Sequence, residues 1–378
     1  MPDKDVGVIT TTRQSVAGGT VDTRLVREPL SGNDARYRLG LAILFAALLI
    51  AMIVAAGAGA VHVPIKTIAS ILVNRSRLYH ISRTWPKSDE PIILLIRLPR
   101  VVAAALVGAA LSAAGVLFQG LFRNPMADPY VIGASGGAAL GATVGLTLCA
   151  GVSLWGFGAT PLFAFAGALV TMLLVYRISR VGGRTPVVTL LLAGLAASVI
   201  LGYTMSFLLI MSDRMQLNLP ILYEWLLGGI SVTGWAQVEF IAVIVAAGTG
   251  VALMMGRSLN ALSLGDECAA SLGVPVETHK AIVIAVGSLL TAAAVSGGGL
   301  IGFVGLIVPH FLRLIFGPNH TQLLPLSILG GAAFLVTADV LARIVMPPSE
   351  LPVGILTAFV GGPAFLYLLR RTKREYRF

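Results

Sequence analysis

The chain has 378 residues, of which 56% are hydrophobic and 12% are charged, and its mean hydropathy is +0.89. Soluble domains carry about a quarter charged residues, so this composition excludes an ordinary soluble globular protein and indicates a membrane protein. The formal net charge of +10 would suit a nucleic-acid-binding protein, but the basic residues are distributed between apolar segments, as membrane topology requires.

The polar start of the chain, with scattered charge of both signs, predicts a disordered cytoplasmic tail over 1–38. Ten apolar segments follow, and because lipid offers the backbone no hydrogen-bond partner, each is predicted to be a transmembrane helix. The segments are 39–60, 98–122, 129–150, 156–176, 187–211, 234–256, 280–297, 300–317, 321–342 and 351–369. The sequence therefore predicts an all-α, polytopic membrane protein with a transmembrane domain over 39–372 and a cytoplasmic tail over 373–378.

The basic residues predict the orientation of these spans. With the N-terminus inside, ten spans place both termini in the cytoplasm, and eighteen of the 27 lysines and arginines then lie on the inner side, as the positive-inside rule requires. Seven of the nine outer ones lie between Lys66 and Arg100. This basic outer region has two interpretations: a loop that translocation tolerates, or a docking surface for an acidic partner.

The usual signatures of catalysis and cofactor binding are missing from the sequence. No histidines or cysteines have the close spacing of a metal site, and no lysine follows a glycine as in a phosphate-binding P-loop. Gly297–Gly302 matches the dinucleotide-binding fingerprint, but no βαβ unit surrounds it, so its glycines predict a tight turn between spans. Cys149 and Cys268 are predicted on opposite membrane faces, too far apart for a disulfide. We predict no catalytic residue, no metal and no cofactor.

Few ionisable residues lie within the spans. Asp339 and Arg343, four residues apart, predict a local ion pair. Ion-coupled carriers place titratable or ion-binding groups near the midplane, and the chain has few candidates for that role.

The third segment carries a glycine at every fourth position: Gly133, Gly137, Gly141 and Gly145. These residues share one helical face, which lets another helix approach closely. Two interpretations stay open, a surface that slides during gating and static packing. Asp128 before this segment predicts a helix cap.

The loop between the sixth and seventh spans has helical apolar spacing interrupted by Gly265 and Gly273, which predicts two short helices with a turn, over about 257–275. Short amphipathic helices on a membrane face either lie on lipid or dock a soluble partner. Asp266 and Glu267, with a single arginine nearby, argue against an anionic lipid surface and favour a protein socket.

Seven motifs occur together along the chain. They are RLPR (97–100), QGLFRNPMADP (119–129), GASGG (133–137), LLLAG (190–194), GDECAASLG (265–273), GFVGLIVPH (302–310) and ADVLAR (338–343). In this combination the chain resembles, over about residues 40–372, the FecCD-type permease subunits of ABC importers for iron chelates (haem or siderophore) and cobalamin.

The resemblance implies the type II ABC importer permease fold in the inner membrane. It implies a homodimer around a central pathway, two copies of a separate ATPase, and a periplasmic or lipid-anchored substrate-binding protein. The permease itself would have no nucleotide site and would not be an enzyme. By motif, the arginines that would pair with acidic residues of the binding protein are Arg97, Arg100 and Arg343. The residues that would couple to the ATPase are Leu264, Gly265, Asp266, Glu267, Ala270, Leu272 and Gly273.

The fifth span resembles the helix that lines the pathway, with Val187 and Val188 near the cytoplasmic gate. Helical spacing predicts one lining face, composed of Gly194, Ser198, Gly202, Met205 and Leu209. The alternative is that this face packs against the glycine face of the third span. The alternative function is an ion-coupled secondary transporter, and an intramembrane enzyme would need a catalytic pair that the sequence does not present.

Overall fold

The computed structural model describes residues 15–16, 19–20, 30–59, 63–75, 83, 85–148, 153–154, 157–212, 217–346 and 349–372. Most of the predicted N-terminal tail, the predicted tail 373–378 and Cys149 lie outside these residues.

The described part of the chain is almost entirely helical, as predicted. The helices are α1 (Leu30–Gly57), α2 (Ile65–Arg75), α3 (Asp89–Phe122), α4 (Ala134–Leu148), α5 (Ala159–Ser179), α6 (Val187–Met211), α7 (Leu219–Leu226), α8 (Trp235–Met254), α9 (Gly256–Ser263), α10 (Asp266–Ser271), α11 (Val276–Gly298), α12 (Val304–Phe316), α13 (His320–Ile344) and α14 (Val353–Thr372). Two-residue strands form two small antiparallel hairpins, Ser15–Val16 with Gly19–Thr20 and Ser153–Leu154 with Phe157–Gly158.

Each of the ten predicted spans contains one helix, and seven helices of the described residues are long and apolar enough to cross a membrane. The apolar stretches Ala134–Leu148, Val304–Phe316 and Val353–Tyr367 are shorter. The all-α polytopic class is confirmed, whereas the count of ten spans stays a prediction. The glycine-rich turn predicted between the seventh and eighth spans is present, with Gly299 at a positive φ of 63°.

Three predicted boundaries were wrong. Helix α1 begins at Leu30, so the last residues assigned to the tail are helical. Helix α3 begins at Asp89, and its segment Ile92–Arg97 is wound as a π-helix, so the RLPR motif lies inside a longer helix. The third segment is divided at Gly133, whose φ is 91°. A 3₁₀ turn precedes this break, and Asp128 caps it by accepting a hydrogen bond from the Tyr130 backbone N–H at 2.8 Å.

Helix α3 is the centre of the bundle, since most residues of its segment Leu98–Phe122 are buried. A Cβ at Gly108 would overlap the carbonyl group of Gly331 on α13, and a Cβ at Gly115 would overlap that of Gly305 on α12. Helices this close gain dispersion energy along their backbones, which is the main attraction available between apolar helices in lipid. The glycines of α3, α12 and α13 therefore fix the spacing of the core.

The glycine face of the third segment packs against α5. A Cβ at Gly137 would overlap Gly167, and a Cβ at Gly141 would overlap the Phe163 carbonyl oxygen. This contact favours the static-packing interpretation of the glycine face. Helix α6 meets a different side of α4, where Gly136 lies against the Ser198 backbone.

The bundle has two ends that matter for function. The Arg100 end contains the beginning of α3 and the last turn of α13, which are joined by an Arg100–Asp339 ion pair of 3.0 Å. The Gly265 end contains the end of α3, the first turn of α13, and the short helices α9 and α10. Gly120 of α3 and His320 of α13 are in contact there.

We predict that Gly141→Leu lowers the free energy of unfolding by about 1–3 kcal/mol or more, because the new side chain has no space against α5. Gly250→Leu is the matched control, since a Cβ at Gly250 meets nothing within 4 Å. Thermal unfolding of both variants in detergent measures the difference. Equal melting temperatures would show that α4 and α5 are not held at this distance.

Candidate functional site

The three arginines that the sequence assigned to docking lie together at the end of α1. The Arg97 guanidinium donates hydrogen bonds from Nη1 to the backbone oxygens of Ala56 and Gly57, both at 3.0 Å. Arg343 donates to the Ala58 oxygen at 2.8 Å and to the Ala55 oxygen at 3.1 Å. Carbonyl groups in the last turn of a helix have no intrahelical donor and carry partial negative charge, so the two arginines cap α1.

Arg100 binds carboxylates in place of carbonyl groups. Its Nε lies 3.1 Å from Oδ1 of Asp339, and its Nη1 lies 2.6 Å from Oε2 of Glu350. Asp339 also pairs through Oδ2 with Nε of Arg343 at 3.0 Å, which confirms the predicted ion pair of α13. We call Arg97, Arg100, Asp339, Arg343 and Glu350 the arginine cluster. Its three cations are balanced by two carboxylates and by the negative end of the α1 dipole.

The three arginines differ in exposure. Arg97 and Arg343 are buried, each only 6% exposed, and their guanidinium groups are used inside the chain. The side chain of Arg100 is 20% exposed, and its partner Glu350 is 46% exposed. The structure brings the predicted docking residues together, and among the three it leaves Arg100 the most accessible to a second protein. Their docking role stays a prediction.

A cavity of about 560 Å³ lies beside Arg100. Polar side chains from several separate segments line it, among them Arg100, Thr160, Glu224, Gln237 and Glu350, together with Trp225. The cavity was not predictable from the sequence, because no single stretch of the chain contains its wall. Apolar residues form most of the remaining wall, so Arg100 and Glu350 are among the few charged groups that border the cavity.

We predict that Asp339→Ala lowers the free energy of unfolding by about 3–5 kcal/mol, because it leaves buried arginines without their carboxylate. Glu350→Gln is the matched control, and as a half-exposed partner it is expected to cost about 0–1 kcal/mol. Chemical unfolding of the purified protein measures both values. If the two variants are equally stable, the cluster does not hold α1, α3 and α13 together.

The predicted pathway face of α6 divides into two parts. Gly194 is buried, and a Cβ there would overlap the Val131 backbone; Ser198 packs against Gly136. Gly202 has nothing within 4 Å of its Cβ position. Met205 and Leu209 are half-buried. Gly194 and Ser198 therefore pack against the third segment, as the alternative interpretation expected. That the five residues line the pathway stays a prediction.

Most of the remaining surface of α6 is apolar and exposed. Val188 is 67% exposed and Tyr203 is 75% exposed, and the residues that accompany them are Leu192, Leu195, Val199, Ile200, Phe207 and Ile210. Val187, the other predicted gate residue, is half-buried against the core. An apolar face of this size is typical of a surface that meets lipid or a second subunit.

The two short helices predicted in the loop at 257–275 are present as α9 and α10. Gly265 and Gly273 terminate them at positive φ angles of 113° and 81°, which a side chain would strain. Leu264 and Leu272 are exposed at the two ends of α10, at 65% and 64%. Glu267 and Ala270 are also exposed, whereas Ala269 on the opposite side of α10 is buried. Two exposed leucines thus flank α10, whose opposite side is packed against the protein.

A buried cation that the sequence did not reveal lies beneath α10. Lys280 on α11 is 4% exposed, and its Nζ lies 2.5 Å from Oδ2 of Asp266 and 3.4 Å from Oε1 of Glu277. The other oxygen of Glu277 accepts a hydrogen bond from the Thr185 backbone N–H at 2.9 Å. Thr185 stands two residues before α6. The i,i+3 spacing of Glu277 and Lys280 is a sequence signal for their ion pair. The hydrogen bond from Thr185 to Glu277 has no such signal, because the two residues are far apart along the chain.

Within the described residues, no three histidine, cysteine, aspartate or glutamate side chains lie together as a metal-binding group. The candidate functional features of the described residues are the arginine cluster at one end, the exposed apolar surface of α6, and the short helices α9 and α10 at the other end.

Comparison with known proteins places these features in context. The sequence model of the FecCD transport family matches residues 47–371. The chain is 48% identical over 292 residues to the cobalamin import system permease protein BtuC of Halobacterium salinarum, covering 77% of this chain and 76% of that protein. It is 38% identical to the hemin transport system permease protein HmuU of Yersinia pestis, covering 89% of this chain and 97% of that protein.

A solved structure is also similar. An ABC transporter described as of metal-chelate type, in an inward-facing conformation, superposes with a TM-score of 0.72 at 29% identity, covering 88% of this chain and 99% of that chain.

Proposed function

The chain belongs to the FecCD transport family and is the transmembrane permease subunit of an ABC importer, and we propose that its substrate is an iron chelate (haem or siderophore) or cobalamin. The observation that supports this substrate class most directly is the set of relatives, which includes cobalamin and haemin permeases along most of the chain. ATP hydrolysis belongs to separate subunits. Family membership does not support the alternative of an ion-coupled secondary transporter.

Permeases of this kind work with ATPase subunits and dimerise, and we propose the specific assembly as two copies of this chain with two ATPases. The proposed location is the inner membrane with both termini in the cytoplasm, which the positive-inside distribution of lysine and arginine supports. In this orientation the Gly265 end faces the cytoplasm and the Arg100 end faces outward.

The proposed ATPase contact is α10 with its flanking leucines. Leu264 and Leu272 are exposed although both are large and apolar, and a soluble partner with a groove would bury them. Asp266, Glu267, Ala270 and the two glycines complete the proposed coupling surface. The buried side of α10 supports this role, because a push on its outer face is transmitted to a packed base.

We predict that Leu272→Asp reduces ATP-driven uptake by roughly tenfold or more, because burying a leucine contributes about 1.5–3 kcal/mol and a carboxylate loses that contribution. The conservative variant Leu272→Met is expected to retain uptake, since it keeps the apolar volume. Uptake of a haem, a siderophore complex and cobalamin into proteoliposomes with the ATPase and binding protein measures the effect and the substrate. Full activity of Leu272→Asp would exclude α10 from the ATPase contact.

The proposed docking site for a periplasmic or lipid-anchored binding protein is the Arg100 end. The basic region from Lys66 to Arg100 supports an acidic partner, since opposite charges speed and orient association. Within the arginine cluster, Arg100 is the residue whose guanidinium borders an open cavity. Arg97 and Arg343 would act mainly by holding the cluster and the end of α1 in place.

We predict that Arg100→Gln weakens binding of the binding protein by roughly tenfold or more, because it removes one partner of a charge pair. The fold is expected to survive, since Asp339 keeps its pair with Arg343. Arg177→Gln, an exposed arginine at the end of α5, is the control for a general charge effect. Surface plasmon resonance on the reconstituted permease measures the affinity, and an unchanged affinity would exclude Arg100 from docking.

The proposed translocation pathway runs between two copies of α6. The exposed apolar side of this helix supports the proposal, since a second copy of the chain would cover apolar surface that is otherwise exposed. Such a wall carries no charge, so it would bind a bulky substrate weakly and release it. Val187 and Val188 stand at the cytoplasmic end of α6, where the gate is proposed.

A further inference from the structure

On the proposed function, α10 forms the ATPase contact and α6 lines the pathway, so the contacts that join these two helices would couple ATP hydrolysis to the gate. Helices α10 and α6 are far apart in the sequence, yet a short chain of contacts joins them. Asp266 begins α10, Lys280 and Glu277 lie in the first turns of α11, and Thr185 precedes α6. Each neighbouring pair is in direct contact, through two ion pairs and one hydrogen bond.

Lys280 holds this chain together because it is buried. A lysine with 4% exposure has lost most of its water, and a buried charge is tolerated only when it is paired. Its two partners are Asp266 at 2.5 Å and Glu277 at 3.4 Å. If α10 moved without α11, Lys280 would lose Asp266, and the desolvated cation would keep only the longer contact. Helices α10 and α11 are therefore expected to move as one unit.

Glu277 extends the connection to α6. Its Oε2 accepts the Thr185 N–H at 2.9 Å, and Thr185 is only 2% exposed. Pro186 follows and begins α6 as its N-cap. The preceding turn is short and closed, since Val181 and Arg184 exchange backbone hydrogen bonds of 2.9 Å and 3.0 Å. Glu277 thus fastens the end of α6 that carries Val187 and Val188.

We propose that Lys280 and Glu277 are positioning residues that transmit movement of α10 to the gate end of α6. Asp266 receives the movement on the ATPase side, Lys280 carries it to α11, and Glu277 pulls the Thr185 backbone. No proton is transferred and no covalent bond is formed or broken in this step. The link is electrostatic and mechanical, and it makes the gate follow the ATPase contact.

The test uses the full permease assembled with its ATPase in proteoliposomes. Cys149 and Cys268 are first replaced by serine, because Cys268 is exposed and would react. Val188→Cys then reports the gate through its rate of labelling by a water-soluble maleimide, with and without ATP plus vanadate. ATP hydrolysis, uptake and melting temperature are measured on the same samples.

Glu277→Ala is expected to keep ATP hydrolysis while uptake per ATP falls roughly tenfold. The labelling rate at position 188 is expected to become the same with and without nucleotide. Glu277→Asp, which keeps the charge, should restore part of both readouts. Thr278→Ala is the matched control, since Thr278 is exposed in the same turn of α11. A purely structural role would lower the melting temperature and leave the nucleotide dependence of labelling intact.

Nucleotide-dependent labelling and normal coupling in Glu277→Ala would overturn the proposal. If Glu277→Ala fails to assemble, Glu277→Gln tests the same connection. Glutamine can still accept the hydrogen bond from the Thr185 N–H, but it cannot form an ion pair with Lys280. Normal coupling in Glu277→Gln together with Lys280→Met would also overturn it. If the parent protein itself shows no ATP-driven uptake, the proposed function fails, and the link fails with it.

Discussion

Close backbone contact between helices is the interaction on which the rest of this structure depends. In lipid, apolar side chains gain little by leaving one apolar surrounding for another, so helices associate through dispersion contacts and the fit of their surfaces. Gly108 and Gly331 let α3 and α13 meet at their backbones, and Gly115 and Gly305 do the same for α3 and α12. This packing fixes a central unit whose two ends then hold the charged groups at defined positions.

The charged groups have different partners at the two ends of the bundle. At the Arg100 end, Arg97 and Arg343 donate hydrogen bonds to carbonyl groups in the last turn of α1, and Asp339 joins α13 to α3 through Arg100. At the Gly265 end, Lys280 joins the short helix α10 to α11 and, through Glu277, to α6. Both clusters bury cations. The Arg100 end draws its partners from α1, α3 and α13, whereas Lys280 is paired with Asp266 and Glu277 nearby in the chain and reaches Thr185 before α6 only through Glu277. Each cluster therefore links separate helices.

Much of the fold was predictable from sequence because its causes are local. A long apolar segment must be helical in lipid, whatever surrounds it, and each predicted span contains a helix. The i,i+4 pair of Asp339 and Arg343 and the turn at Gly265 depend on nearby residues, and both are present. The start of α1 was missed because mostly polar residues continue this helix before its apolar segment. At α3, Arg97 and Arg100 interrupt the apolar pattern, and the apolar residues before Arg97 continue the same helix as a π-helical segment.

For the candidate site residues, the motifs suggest which side chains to examine but carry no information about their exposure. The motifs selected Arg97, Arg100 and Arg343, yet their spacing carries no information about the carbonyl groups of α1 that bury two of them. The face of α6 was equally ambiguous, because helical periodicity defines a face without saying what covers it, and Gly194 and Ser198 are covered by the third segment.

By itself, the sequence determined the class of the protein, the position of most helices, the family, and the residues that carry charge. Only the tertiary structure decided which of those charges are used internally, that a cavity borders Arg100, and that Lys280 and Glu277 connect α10 to the residue before Pro186 and α6. The physical reason is the range of the forces. Hydropathy, helix formation and turns act over a few residues, whereas a buried charge is satisfied by whichever partners the packing of the whole bundle brings within about 3 Å of it.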